Sequence, residues 1–167
     1  MPPAHPTPPP NASHIYTALH ATVLDFITAQ TQTPALASRM DFSRMRALCA
    51  PEFQHSWGHN YATSLNPRLQ GTVSIDEFIE HLESLLPALE SWEATVTDVL
   101  VDEVKRSVVL RASLMMVVKG EEKGVENDLL WVFEMEGEGS EMKIRRSREF
   151  TDGVAAARLT ELMMGRK

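Results

Sequence analysis

The chain has 167 residues, of which 16 are basic and 23 acidic, for a net charge of −7. That length suits one domain with a core of its own, and 43% hydrophobic residues rule out wholesale disorder. No apolar run approaches the roughly 20 residues of a membrane helix, and an acidic chain with no basic, aromatic-studded face is not expected to bind nucleic acid. The single cysteine, Cys49, excludes an internal disulfide and a multi-cysteine zinc site. It follows Phe42, Met45 and Leu48 in a helical apolar pattern, as a small buried hydrophobe does.

Residues 1–13 hold six of the ten prolines and lack the basic and apolar regions of a signal peptide. They read as a polyproline-prone flexible tail ahead of one domain over 14–167, and the compartment expected is the cytosol. Ile15, Leu19, Val23, Phe26 and Ile27 make one face of an amphipathic helix. Pro34 marks a loop over 31–38, after which Asp41 caps a short helix that runs to Leu48 and is stopped by Pro51. Phe53, His55, Trp57, His59 and Tyr61 alternate, so a strand over 53–61 would put all five on one face.

Asn66-Pro67 and Gly71 then break the chain. Ser74-Ile-Asp-Glu77 is a capping box, and it opens a helix with Ile75, Phe78, Ile79, Leu82, Leu85, Leu86 and Leu89 on its buried face. Glu80, His81, Glu83 and Ser84 take the other face. Residues 95–104, 107–119, 125–136 and 142–151 are β-branched, alternating runs separated by short turns, two of which, at 120–124 and 137–140, carry glycine as hairpin turns do. Asp152 caps a last helix over 154–164. Hairpins join only antiparallel neighbours, so the class is α+β, with a mostly antiparallel sheet curling over early helices.

Three short segments carry a resemblance in this order of elements: Ala50-Pro-Glu-Phe-Gln-His55, Gly71-Thr-Val-Ser-Ile-Asp-Glu-Phe78, and the run from Lys143-Ile144 to Glu149-Phe-Thr-Asp152. Over residues 13–164 the chain resembles the cone-shaped nuclear-transport-factor-2-like superfamily, and within it the SnoaL-like polyketide cyclases and their fungal secondary-metabolism relatives. The resemblance implies a deep pocket between curved sheet and helices, and a homodimer formed through the outer sheet face. It also implies proton-transfer chemistry on a small hydrophobic substrate without a bound cofactor.

Glu149 lies five residues after Ile144, where SnoaL-like cyclases and limonene-epoxide hydrolases resemble each other in placing a catalytic aspartate. Burial in an apolar cone would raise its pKa and suit it to general acid–base work; the plainer reading is a surface residue paired with Arg146 or Arg148. Alternation does not decide which face of the last strand points inward. His55 and His59 titrate near neutrality and are candidates for the complementary proton transfer, or they are half-buried histidines at the core edge. On a strand they stand about 13 Å apart, too far for shared zinc.

Trp57 occupies the place of the ketosteroid-isomerase aspartate, so that mechanism does not transfer; with Tyr61 and Trp131 it would shape an apolar pocket. Asn127 is the one polar member of the inward face of its strand, able to orient a carbonyl or to serve the turn before it. Arg111 would hold an enolate or close a strand-end ion pair. Ser113 and Met115 stand where limonene-epoxide hydrolases use an arginine and an aspartate. The function expected is a small cofactor-independent isomerase or cyclase acting on a polyketide- or terpenoid-like intermediate. The alternatives are a non-catalytic ligand-binding or dimerising protein of the same fold, and a dehydratase.

Overall fold

Ser13 accepts a hydrogen bond from the Tyr16 N–H at 2.9 Å and caps α1, His14–Thr28, in the computed structural model, which describes residues 5–165. The start of the predicted tail and the last two residues of the predicted domain lie outside the described residues. Leu19, Val23, Phe26 and Ile27 form the buried face of α1, as their spacing requires. Asp41 accepts from the Arg44 N–H to cap α2, Phe42–Leu48, and β1, Cys49–Trp57, follows without a linker. Pro51 lies inside β1, where the register with its neighbour slips between Cys49 and Gln54. An edge strand tolerates a proline there.

After β1 come the short α3, Asn60–Ser64, a 3-10 turn at Pro67–Leu69, and α4, Ile75–Leu85. The capping box of α4 is complete: Ser74 accepts from the Glu77 N–H while the Glu77 carboxylate accepts from the Ser74 N–H. A 3-10 turn at Leu86–Ala88, built around Pro87, ends the helix, so Leu89 joins the sheet instead of the helix. The sheet then runs through β2, Leu89–Asp102; β3, Ser107–Val118; β4, Val125–Glu136; and β5, Lys143–Thr151, before α5, Gly153–Met164.

The spatial order is β1-β5-β4-β3-β2. The four hairpin-linked strands are antiparallel as expected, while β1 returns parallel to β5. The far edge of β1 is covered at its centre, because the backbones of His55 and Val73 exchange hydrogen bonds of 2.8 and 2.9 Å. No helix among the described residues is long and apolar enough to cross a membrane.

One irregularity in β5 sets its inward face. Glu134 pairs with Arg146 but the next residue, Met135, pairs with Ile144, so Arg145 is an extra residue in the ladder. Ile144 points inward before this bulge, and Ser147, Glu149 and Thr151 share the inner face after it, opposite Phe133, Trp131 and Leu129. A bulge of this kind switches parity within one strand. Both arginines at the bulge, Arg145 at 2.7 Å and Arg146 at 3.7 Å, face the single carboxylate of Glu134 on the outer side.

The core centres on Phe26, whose ring meets those of Phe53, Phe78, Trp131 and Phe133 at 5.9 to 6.4 Å. α1 thereby clamps β1, α4 and β4 into one layer. Truncating Phe26 to Ala should cost about 3–5 kcal/mol, a value for emptying a fully buried aromatic site. Urea unfolding would show it; a loss below about 1 kcal/mol would mean that the aromatic layer is not the centre of the fold.

Candidate functional site

A cavity of about 230 Å³ opens between the concave sheet face, α4 and α5. Its wall is mostly apolar, with Phe78, Leu82 and Leu85 from α4, Leu114 and Met116 from β3, and Leu159 and Met163 from α5. Among the described residues that line it there is one carboxyl group, Glu149, and one imidazole, His81; no lysine or arginine joins them. Trp57 and Asn127 also face it. No group of three His, Cys, Asp or Glu side chains that could hold a metal ion occurs among the described residues.

Glu149 reaches the cavity because the bulge turns it inward, and its side chain keeps only 12% exposure. Loss of hydration favours the uncharged acid, and its pKa is pushed up to about 8. Behind it lies His55, wholly buried, with Trp57, Phe78 and Trp131 rings at 4.6, 4.3 and 5.3 Å. The same loss of hydration, with a smaller push from His81, pulls His55 down to about 3. Nε2 of His55 stands 3.7 Å from a Glu149 carboxyl oxygen. That is an ion-pair distance, but at neutral pH both groups are uncharged, so the contact is between a carboxylic acid and a neutral imidazole.

On its other side His55 Nδ1 is 2.8 Å from Ser147 Oγ. The tautomer whose Nδ1–H donates to Ser147 turns the Nε2 lone pair toward the acidic proton of Glu149. Nε2 otherwise has no hydrogen-bond partner, and a closure of about 0.8 Å would make that bond. His55 does not line the cavity; it positions Glu149 from behind.

Asn127 does two things. Its Oδ1 accepts from the Asp152 N–H at 3.2 Å, and Asp152 in turn caps α5 by accepting from the N–H groups of Val154 and Ala155. The side-chain NH₂ has no partner among the described residues, which leaves two donors on the cavity wall.

Four expected residues are placed elsewhere. β1 ends at Trp57, where the next N–H, of Gly58, bonds to the Glu149 carbonyl at 2.6 Å. His59 then adopts a left-handed φ of 58° and α3 begins. His59 and Tyr61 therefore do not continue the face of Trp57. They border an adjoining hollow that shares Trp57, Leu69, Glu149 and Thr151 with the cavity, and Tyr61 is 80% exposed. A side chain on Gly58 would run into the Phe150 ring, so the turn demands glycine there. Arg111 lies on the outer face in a bidentate pair with Asp128, where no substrate in the cavity can touch it. Trp131 is buried behind His55 and supports it without facing the cavity. Cys49 is buried too, its thiol pushed up to about 12 by lost hydration, and is no nucleophile.

His81 is the residue that sequence reasoning assigned to the wrong side. Phe78, His81, Leu82 and Leu85 follow an i, i+3, i+4, i+7 pattern, which places His81 at the border of the apolar stripe. Its ring lies edge-on to Trp57 at 5.3 Å. Burial, and then the nearby Arg68 charge, lower its pKa from the ordinary value.

A small α+β cone with one buried carboxyl group in its cavity is the class of protein that this geometry defines. No family model matches the chain, and no curated protein matches it either. Solved structures do. PrhC from Penicillium brasilianum NBRC 6234 superposes with a TM-score of 0.69 at 16% identity, over 89% of each chain. BvnE, a pinacolase from Penicillium brevicompactum, gives 0.71 at 14% identity, over 95% of this chain and 97% of that one. A protein named for the SnoaL-like polyketide cyclases, from Jannaschia sp. CCS1, gives 0.65 at 19% identity, over 89% and 95%. The fold is the cone that these structures share with a protein described as nuclear-transport-factor-2-like; at these identities the likeness is one of fold.

The two shifted groups make opposite contributions to stability. Glu149 holds its proton more tightly in the fold, so its contribution is complete below pH 4.5 and is lost as pH rises through about 8. His55 contributes fully above pH 6.5 and less as pH falls toward about 3. Stability from this pair should therefore peak between pH 4.5 and 6.5. In thermal unfolding, Glu149→Gln should gain on the wild type as pH rises from 6.5 to 8; parallel curves would show that Glu149 is not held protonated.

Proposed function

We propose that this protein is a small cofactor-independent isomerase or cyclase that uses general acid–base catalysis. Its substrate is a hydrophobic, polyketide- or terpenoid-like intermediate of secondary metabolism. The observation that carries this reading is Glu149: a lone carboxyl group in an apolar cavity, poised near neutral pH and held from behind by His55 and Ser147. A group with a pKa near the working pH gives and takes a proton with comparable ease. The free NH₂ of Asn127 is a donor for an oxygen that becomes negative as a neighbouring carbon loses its proton.

Cavity size narrows the substrate. A volume of about 230 Å³ exceeds the roughly 150 Å³ that encloses benzene, so one or two fused rings fit. A larger ring system would have to extend into the hollow beside His59 and Tyr61, which shares the Glu149 wall. Trp57 offers such rings a flat face. The fold likeness to BvnE, named a pinacolase, supports a catalytic role in related chemistry.

β-Tetralone is a two-ring ketone of suitable size with acidic carbon-bound hydrogens. Wild-type protein should accelerate exchange of its α-hydrogens in D₂O, followed by NMR. Glu149→Gln keeps the shape of the side chain and removes the acid, and should slow exchange by about 10²-fold or more. A Gln variant as fast as the wild type would eliminate Glu149 as the proton-transfer group.

The proposal includes pairing of two copies through the outer sheet face, where Met115 and Leu130 are exposed beside the Arg111–Asp128 pair. Light scattering should then give twice the 18.7 kDa chain mass, and Leu130→Glu should return it to the single value. A wild type that is monomeric at micromolar concentration would remove this part.

A further inference from the structure

A carboxyl group alone moves one proton at a time, and the cavity holds a second titratable group that has no assigned role. His81 enters from α4, the helical wall, while Glu149 enters from β5, the sheet wall, and both line the same 230 Å³ space. The His81 ring makes no hydrogen bond among the described residues; it packs edge-on against Trp57 and shares the cavity wall with the apolar Phe78, Leu82 and Leu85. The charged or titratable groups acting on it are Arg68 from the 3-10 turn, which lowers its pKa, and His55 from β1, on which it acts in turn. An unpartnered imidazole on an apolar wall has its lone pair available to whatever fills the space.

We propose that His81 is the base and Glu149 the acid of a two-sided enolisation, with substrate held between them. This rests on the acid–base reading of Glu149 above. The usual order of the two groups is reversed here. Lost hydration keeps the carboxyl group protonated and the imidazole neutral, so each enters the reaction in the form it needs.

The step balances within the site. A ring nitrogen of His81 takes the proton from the carbon next to the carbonyl, and the electron pair of that C–H bond becomes the C=C bond of the enol. The carbonyl π pair moves to oxygen, which takes the proton of Glu149. The protein is left with an imidazolium and a carboxylate, and the substrate is a neutral enol. Returning the proton from His81 to another carbon completes isomerisation. Replacing it on the imidazolium by a solvent deuteron, before return to the same carbon, completes exchange. In both, Glu149 recovers its own proton from the enol oxygen and the two groups are reset. The substrate class that follows is a ketone with an acidic hydrogen beside, or in conjugation with, its carbonyl.

The pH profile of β-tetralone exchange separates the two residues. Wild-type exchange should be level between the His81 pKa, below 6.5, and the Glu149 pKa, about 8, and should fall on both sides. His81→Gln should cost about 10²-fold and abolish the acid-side fall, whereas Glu149→Gln abolishes the alkaline one. Added imidazole should restore exchange to His81→Ala, which a loss of packing alone would not allow. The ring signals of His81 should also shift when β-naphthol, an analogue of the enol, is added to the wild type.

A His81→Gln protein that exchanges at the wild-type rate with its acid limb intact overturns the His81 assignment and leaves Glu149 standing. Exchange at the wild-type rate in Glu149→Gln, with the alkaline fall intact, sinks the Glu149 reading instead. Wild-type exchange no faster than buffer, with His81 signals unmoved by β-naphthol, overturns both.

Discussion

Parallel pairing of β1 with β5 sets His55 opposite Ser147 and Trp57 opposite Glu149, so residues 92 positions apart in the chain become lateral neighbours. Neighbouring elements close around this seam. The Val73 bridge covers the outer edge of His55, Phe78 of α4 packs on its ring, and the Gly58 N–H ties the end of β1 to the Glu149 carbonyl. A hairpin could not have made this pairing, because parallel neighbours need a long crossover. Here the crossover is most of the protein, and the site forms only when the whole cone has closed.

The seam carries an electrostatic cost that a purely structural contact would avoid. His55 Nε2 is buried without a partner, a defect worth about 1–3 kcal/mol in a protein interior. Glu149 sits at the same place without a cation to hold it ionised. An apolar pair at these positions would pack well and cost less. Groups kept in this condition, neutral and close together beside a cavity, suit proton transfer better than they suit stability.

Much of the cone is legible in the residues themselves, since period and capping speak directly about local backbone. The Ser74–Glu77 box, the four alternating strands and Asp152 ahead of α5 all lie where the pattern puts them. The places where the pattern fails are physical in origin. His55, Trp57, His59 and Tyr61 continue a period of two, but the backbone abandons it at Gly58, where Phe150 fills the space of a side chain. Glu149 could not be assigned a face from alternation because the extra residue at Arg145 breaks the period upstream of it. His81 was hidden by its chemistry, since a polar residue bordering an apolar stripe reads as surface until the cavity beneath it is seen.

The bulge at Arg145 acts as a reading frame for the strand. Everything after it, Ser147, Glu149 and Thr151 included, faces the cavity only because one residue more than a regular ladder precedes it. Straightening the ladder with every residue kept would turn Arg146, Arg148 and Phe150 inward in place of the acid, whereas deleting Arg145 would leave Ile144, Ser147 and Glu149 all on the inner face. Which side chains the strand offers to the cavity is therefore set by how its backbone absorbs one extra residue, without any substitution at the site.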